Sequence, residues 1–156
     1  MPENNLIVKM CHVMMESGIL DEDKLKTVFI QLKKTGQKFS KILVDLGYAS
    51  EKQILDMLLN KLEVPYFTFE GVEINPRVLS MIPFELANRC SSIPIFTKGQ
   101  NLTIATNDPF NPNSVDEISK YTKKHIILAL TSTKDIQYAF NKRLRYLAAK
   151  NSPQSA

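Results

Sequence analysis

Lys9-Met10-Cys11-His12-Val13-Met14-Met15-Glu16-Ser17-Gly18-Ile19-Leu20-Asp21-Glu22 is answered 29 residues later by Lys38-Phe39-Ser40-Lys41-Ile42-Leu43-Val44-Asp45-Leu46-Gly47-Tyr48-Ala49-Ser50-Glu51. A fixed period of this size marks a repeated supersecondary unit. In each copy the apolar residues recur at helical spacing: Met10, Val13 and Met14 in the first, Phe39, Ile42, Leu43 and Leu46 in the second. Gly18 and Gly47 follow these runs, where a left-handed residue can end a helix. Asp21 and Ser50 then suit N-caps of a second helix, and Ser50 with Gln53 forms a capping box that Asp21 with Lys24 does not. The second helices are expected to bury Leu25, Val28, Phe29 and Leu32 in one copy and Ile54, Leu58 and Leu62 in the other. Each copy therefore reads as a short helix, a tight turn and a longer helix. Two ordinary helical hairpins sharing a core would look the same and need no ligand.

After Val64-Pro65 the pattern changes from helical spacing to alternation. Tyr66-Phe67-Thr68-Phe69 reads as a short strand. Asn75 caps a helix that has Pro76 at its first position and Val78, Leu79 and Ile82 on its buried side. Pro83 restarts the chain into a short helix through Leu86, Ala87 and Cys90. Ser92-Ile93-Pro94-Ile95-Phe96 and Leu102-Thr103-Ile104-Ala105-Thr106 flank a turn at Lys98-Gly99-Gln100-Asn101, and Pro94 belongs at an edge or strand start. Ser114 with Glu117 predicts a helix burying Val115, Ile118 and Tyr121. His125–Leu130 predicts an apolar strand. Ser132 or Thr133 caps a last helix that buries Ile136, Phe140 and Leu144. The fold class is α+β: N-terminal tandem helical hairpins (residues 6–64), then a small sheet flanked by helices (65–147) and a disordered tail (148–156).

The order and spacing of these pieces, from about Leu6 to Tyr146, resemble the N-terminal domain of type II secretion and type IV pilus assembly ATPases. That family carries tandem units of the form R-L-G-x-x-L-x-x-x-G-L-[IL]-x-x-x-x-L-x-x-x-L-x-x-Q, and its MshEN subgroup binds cyclic-di-GMP through them. The likeness continues through Val64-Pro65-Tyr66-Phe67, Ile74-Asn75-Pro76-Arg77-Val78-Leu79-Ser80-Met81-Ile82-Pro83 and Leu102-Thr103-Ile104-Ala105-Thr106-Asn107-Asp108-Pro109. The resemblance implies candidate cyclic-di-GMP-binding positions at Lys9, Met10, Leu25, Phe29, Lys38, Phe39, Ile54 and Leu58. The departures fall at the polar positions. The family's Arg is Lys9 and Lys38, its Gly is Cys11 and Ser40, and its Gln is Leu32 and Lys61.

Composition narrows the chemistry. The chain has 156 residues, is 44% hydrophobic and carries a formal charge of +4. No apolar run reaches membrane-span length, and the N-terminus lacks the pattern of a secretory signal, so a cytoplasmic protein without membrane insertion is expected. Cys11 and Cys90 are far apart and no CxxC occurs, so both are expected reduced; His12 and His125 have no ligand-spaced companions, so no metal site is expected. Five glycines are present and none fits G-x-x-x-x-G-K-[ST], which excludes the ATPase itself and supports a non-enzyme with no cofactor. Lys120, Lys123, Lys124, Lys134, Lys142, Arg143, Arg145 and Lys150 make the chain from Lys120 onward basic against Asp135 alone. No helix-turn-helix cue or stacking platform accompanies this charge, so nucleic acid is not the expected partner. Two functions remain. One is a protein-interaction module, an adaptor in a secretion, pilus or motility complex. The other is a cyclic-di-GMP sensor using the two motifs, with that dinucleotide as ligand.

Overall fold

The repeated stretch folds as two successive helix-turn-helix units. A computed structural model of the chain describes residues 6–150, with side chains described for all of these except 112, 113 and 144–150. In the first copy α1 (Leu6–Glu16) leads through Gly18, at φ 81°, into α2 (Glu22–Thr35). In the second, α3 (Phe39–Asp45) leads through Gly47, at φ 75°, into α4 (Glu51–Asp56). Both glycines occupy the left-handed region that a Cβ disfavours, which fixes the reversal. The Asp21 carboxylate accepts from the Lys24 N–H at 2.8 Å and caps α2. Ser50 and Gln53 close a full capping box: Ser50 Oγ accepts from the Gln53 N–H at 3.1 Å, and Gln53 Oε1 from the Ser50 N–H at 2.8 Å. Ser50→Ala removes one side of this box and should lower unfolding free energy by about 1 kcal/mol, measured by urea denaturation.

The copies differ in how far their second helices are buried. Ile54 and Leu58 are buried, and α4 continues into a single wide π-turn, Met57–Lys61, in which the Leu62 N–H reaches the Met57 carbonyl at 2.9 Å. The equivalent helix of the first copy, α2, fully buries Val28. Leu25 and Leu32 are half-buried and Phe29 is 40% exposed, so the expected burial of Phe29 does not hold. Leu62 is half-buried as well. The repeat spacing places equivalent residues on equivalent helix faces, but a helix in an outer position has a neighbour on only part of that face. Phe39 also packs edge-to-face on Phe110, with ring centroids 5.2 Å apart.

The chain divides into two units, one running through Val64 and including Phe110–Pro112, the other taking Pro65–Pro109 and the chain from Asn113 onward. The second unit holds α5 (Pro76–Leu79), α6 (Phe84–Arg89), β1 (Ser92–Lys98), β2 (Asn101–Thr106), all but the first residue of α7 (Pro112–Thr122), β3 (His125–Leu130) and α8 (Thr133–Lys150). The sheet order is β1-β2-β3. β1 and β2 form an antiparallel hairpin, and β3 returns parallel to β2 after the α7 crossover. Pro94 lies on the edge strand β1, beside a break in register before Phe96, the kind of position a residue without an N–H can occupy. Alternation sends Leu102 and Ile104 to one face, packed with Val78, Leu86, Ala87 and Ile118. Ala105 and Ile93 pack on the other with Phe69, Ile136 and Ala139.

Four expectations need correction in this unit. Tyr66-Phe67-Thr68-Phe69 makes a single parallel bridge, Tyr66 to Leu130, rather than a strand. The turn closed by the Val72 N–H on the Phe69 carbonyl ends the extension, and Phe67 and Phe69 pack edge-to-face instead. α7 (Pro112–Thr122) begins at Pro112, whose fixed φ suits a first helical position. Ser114 is thus buried inside the helix, and of the three predicted inward residues Ile118 is buried, Val115 half-buried and Tyr121 58% exposed. α8 runs to Lys150, past the boundary at which a tail was expected; residues 151–156 and the Leu144 side chain lie outside the described residues. Finally, Arg143 belongs to the interior and not to the basic surface. It is 6% exposed, and its Nη2 donates to the Ile82 carbonyl.

Candidate functional site

The tandem motif places its eight candidate residues in two different environments. Lys9 and Lys38 are exposed, and Leu25 and Phe29 offer partly accessible apolar surface on α2. Met10, Phe39, Ile54 and Leu58 are 0–4% exposed. These four serve as core side chains, and the two sets do not form one continuous accessible surface.

The altered polar positions are distributed in the same divided way. Cys11 is buried in the middle of α1, Ser40 and Leu32 are half-buried, and Lys61 is exposed at the end of the π-turn. A glycine at position 11 would leave space where the Cys11 side chain now fills the core. Lys61 contributes to a groove of about 380 Å³ lined also by Val13, Ser17, Lys52, Asp56 and Met57. Its lining mixes two ammonium groups with one carboxylate, so it presents no uniform field to an anion. Sequence reading did not single out this groove, because Val13 and Ser17 come from the first copy of the repeat and Lys52 and Asp56 from α4 of the second, and no spacing brings them together.

Burial pushes the Cys11 thiol up to about 11. The thiolate is the reactive form, so native Cys11 is an inert thiol at neutral pH. In a Cys90→Ala background, iodoacetamide at pH 8 should label native Cys11 about 100-fold more slowly than the denatured chain, because each pKa unit removes a factor of ten in thiolate. The same shift makes folding favour the protonated form. Its contribution is complete below the unfolded thiol's pKa near 9 and is lost as pH rises to about 11.

The MshEN domain family model matches residues 62–149. The chain belongs to the MshEN domain family. That match lies on the α/β unit, so membership rests on the sheet and its helices, while both helical motif copies precede almost all of it. The MshEN chain is similar to the type IV pilus assembly ATPase PilB of Myxococcus xanthus, 24% identical over 138 residues. The alignment covers 88% of this chain and 24% of that ATPase. It is also similar to PilB of Thermus thermophilus, 24% identical over 111 residues, covering 70% of this chain and 12% of the relative. The chain thus spans a quarter or less of the length of these ATPases. A structure of MshE with cdg superposes with a TM-score of 0.63 at 23% identity, over 84% of this chain and 95% of that one. The N-terminal domain of XpsE superposes with a TM-score of 0.58 at 13% identity, over 90% of this chain and 97% of that one. At these identities the two structures establish the α+β fold. Among the described residues no helix is long and apolar enough to cross a membrane.

Proposed function

We propose that this MshEN chain is a non-catalytic adaptor that docks on a protein component of a pilus or secretion machine. The observation that carries the reading is the outer face of α2. There Phe29 and Ile30 are 40% and 61% exposed, whereas the equivalent second helix buries Leu58. Adjacent exposed apolar residues on a helix that buries little else suit a partner's surface. The altered motif supports the same reading, since both copies keep apolar residues at the positions that build the scaffold and change those that would recognise a nucleotide.

Cyclic-di-GMP sensing is the second reading. It is favoured by Lys9 and Lys38, both exposed at the first motif position, and by the likeness to MshE, whose structure was solved with cdg. Lysine keeps the charge of arginine but lacks its planar, bidentate fork.

The adaptor reading is tested by titrating the chain with the purified cytoplasmic segments of the host's own pilus or secretion platform proteins. Micromolar or tighter binding is expected, with Phe29→Glu and Ile30→Glu abolishing it. Absence of binding to every segment, or binding indifferent to both substitutions, contradicts the assignment.

A further inference from the structure

One face of the sheet is covered over only part of its length. On that face the register sets Ile93, Ala105 and Ala129 side by side across the three strands, and Ile136 and Ala139 of α8 pack on Ile93 and Ala105. This row is 0–3% exposed. The next row is Phe96, Thr103 and Ile127. Phe96 is 57% and Ile127 39% exposed, with Thr103 half-buried between them. The last row, Lys98, Asn101 and His125, is exposed throughout. Neighbouring strands lie about 4.8 Å apart, so each row is about 10 Å wide. α8 stands on the row beside Phe96 and Ile127, and a helix is about 10 Å thick, so the open rows form a ledge one helix deep.

The charge at this end of the sheet is positive. Lys98 lies on the ledge, Lys123 and Lys124 lead into β3 at the same end, and Lys124 Nζ donates to the Gly99 carbonyl at 3.0 Å. No carboxylate occurs from Lys98 to Asn107 or from Ile118 to Lys134. We propose that the ledge seats an acidic amphipathic helix of a partner protein, its apolar side across Phe96, Thr103 and Ile127 and its carboxylates against the three lysines. A sheet spends its backbone groups within its own plane, so this face offers side chains alone, and a layer of helix is what closes such a face, as α8 does beside it. Positive charge beside the apolar row selects an acidic partner and repels a basic one. A flat bilayer would meet α8 before the recessed row, whereas a helix laid beside α8 reaches it. The ledge belongs to the α/β unit and is independent of the adaptor reading, which rests on α2.

The probe is a synthetic helix of about 18 residues, roughly five turns, with leucine along one side, glutamate along the other and alanine between. It is added to the isotope-labelled full chain and followed by calorimetry and by amide shifts in NMR. Saturable submillimolar binding is expected, with the amides of Phe96, Thr103 and Ile127 shifting most. Phe96→Ser and Lys98→Glu, both at exposed positions, should each weaken it about 10-fold. The same peptide with lysine in place of glutamate should bind the unmodified chain about 10-fold more weakly or worse, a comparison that needs no variant to fold. Absence of saturable binding, equal binding of the lysine peptide, shifts confined to the helical unit, or undiminished binding to Phe96→Ser and Lys98→Glu overturns the proposal. So does binding to phosphatidylserine vesicles that these two substitutions weaken, which would make the ledge a membrane contact.

Discussion

Leu58→Ala is expected to lower the unfolding free energy of the helical unit by about 2–5 kcal/mol, while Phe29→Ala changes it by less than about 1 kcal/mol. The two residues are equivalent by repeat spacing, yet Leu58 is 3% exposed and Phe29 40%. Removing a buried leucine side chain loses its transfer free energy and leaves a cavity that neighbours fill only in part. Leu58 lies within the π-turn beside the buried Met57 and one helical turn from the buried Ile54, all on one continuous helical backbone. Collapse around the void is correspondingly limited. Truncation of Phe29 mainly removes surface that already meets water. Urea denaturation followed by far-ultraviolet circular dichroism would distinguish the two. Equal midpoint shifts would show that α2 is as deeply packed as the second copy's helix.

Restoring the family's polar pattern is expected to create or strengthen cyclic-di-GMP binding by at least about 100-fold. The changes are Lys9→Arg, Cys11→Gly and Leu32→Gln in one copy, with Lys38→Arg, Ser40→Gly and Lys61→Gln in the other. A hydrogen bond to a charged group contributes about 1.5–3 kcal/mol, and micromolar binding corresponds to about 8 kcal/mol. Three altered polar positions per copy are therefore enough to remove it. The reversions are not equivalent. Cys11 is buried within α1, so Cys11→Gly adds a helix-interior glycine, unfavourable by about 1 kcal/mol, to the loss of a packed side chain. Lys9→Arg and Lys38→Arg are exposed and should be neutral for stability. Affinity measured by calorimetry on each revertant, beside its denaturation midpoint, separates recognition from folding. If the fully reverted, folded protein binds no better than wild type, the polar positions are not what limits binding.

Local chemistry made most of the architecture readable. Gly18, Gly47, the Asp21 cap and the Ser50–Gln53 box each act within a few residues, and each occurs where its chemistry predicts. The switch from helical spacing to alternation after Val64 separated the helical stretch from the sheet for the same reason. Burial was harder to read because it depends on what lies opposite. Phe29 and Tyr121 sit at apolar positions of amphipathic helices and are nevertheless 40% and 58% exposed. Tyr66–Phe69 has the residue types of a strand but only one bridge to pair with. Arg143 was legible in principle. Ile136, Phe140 and Arg143 stand at i, i+4 and i+7, so the buried stripe of α8 passes through the arginine, but its charge suggested surface. Its buried guanidinium rests on contacts with Ile82 and Phe84, some sixty residues away, which no spacing encodes.

The candidate site was legible only as a motif. Repeat spacing aligned Lys9 with Lys38 and Met10 with Phe39, but it could not separate exposed ammonium groups from buried apolar side chains. A titration of the unmodified chain with cyclic-di-GMP, by calorimetry at near-physiological salt, separates the adaptor from the sensor. An adaptor, as proposed, keeps the tandem scaffold for protein contacts and not for the dinucleotide. For an adaptor no saturable heat is expected, or a dissociation constant weaker than about 100 μM, the loss of roughly 3 kcal/mol or more relative to submicromolar binding. Submicromolar binding by the wild-type protein, abolished by Lys9→Ala or Lys38→Ala, would contradict it.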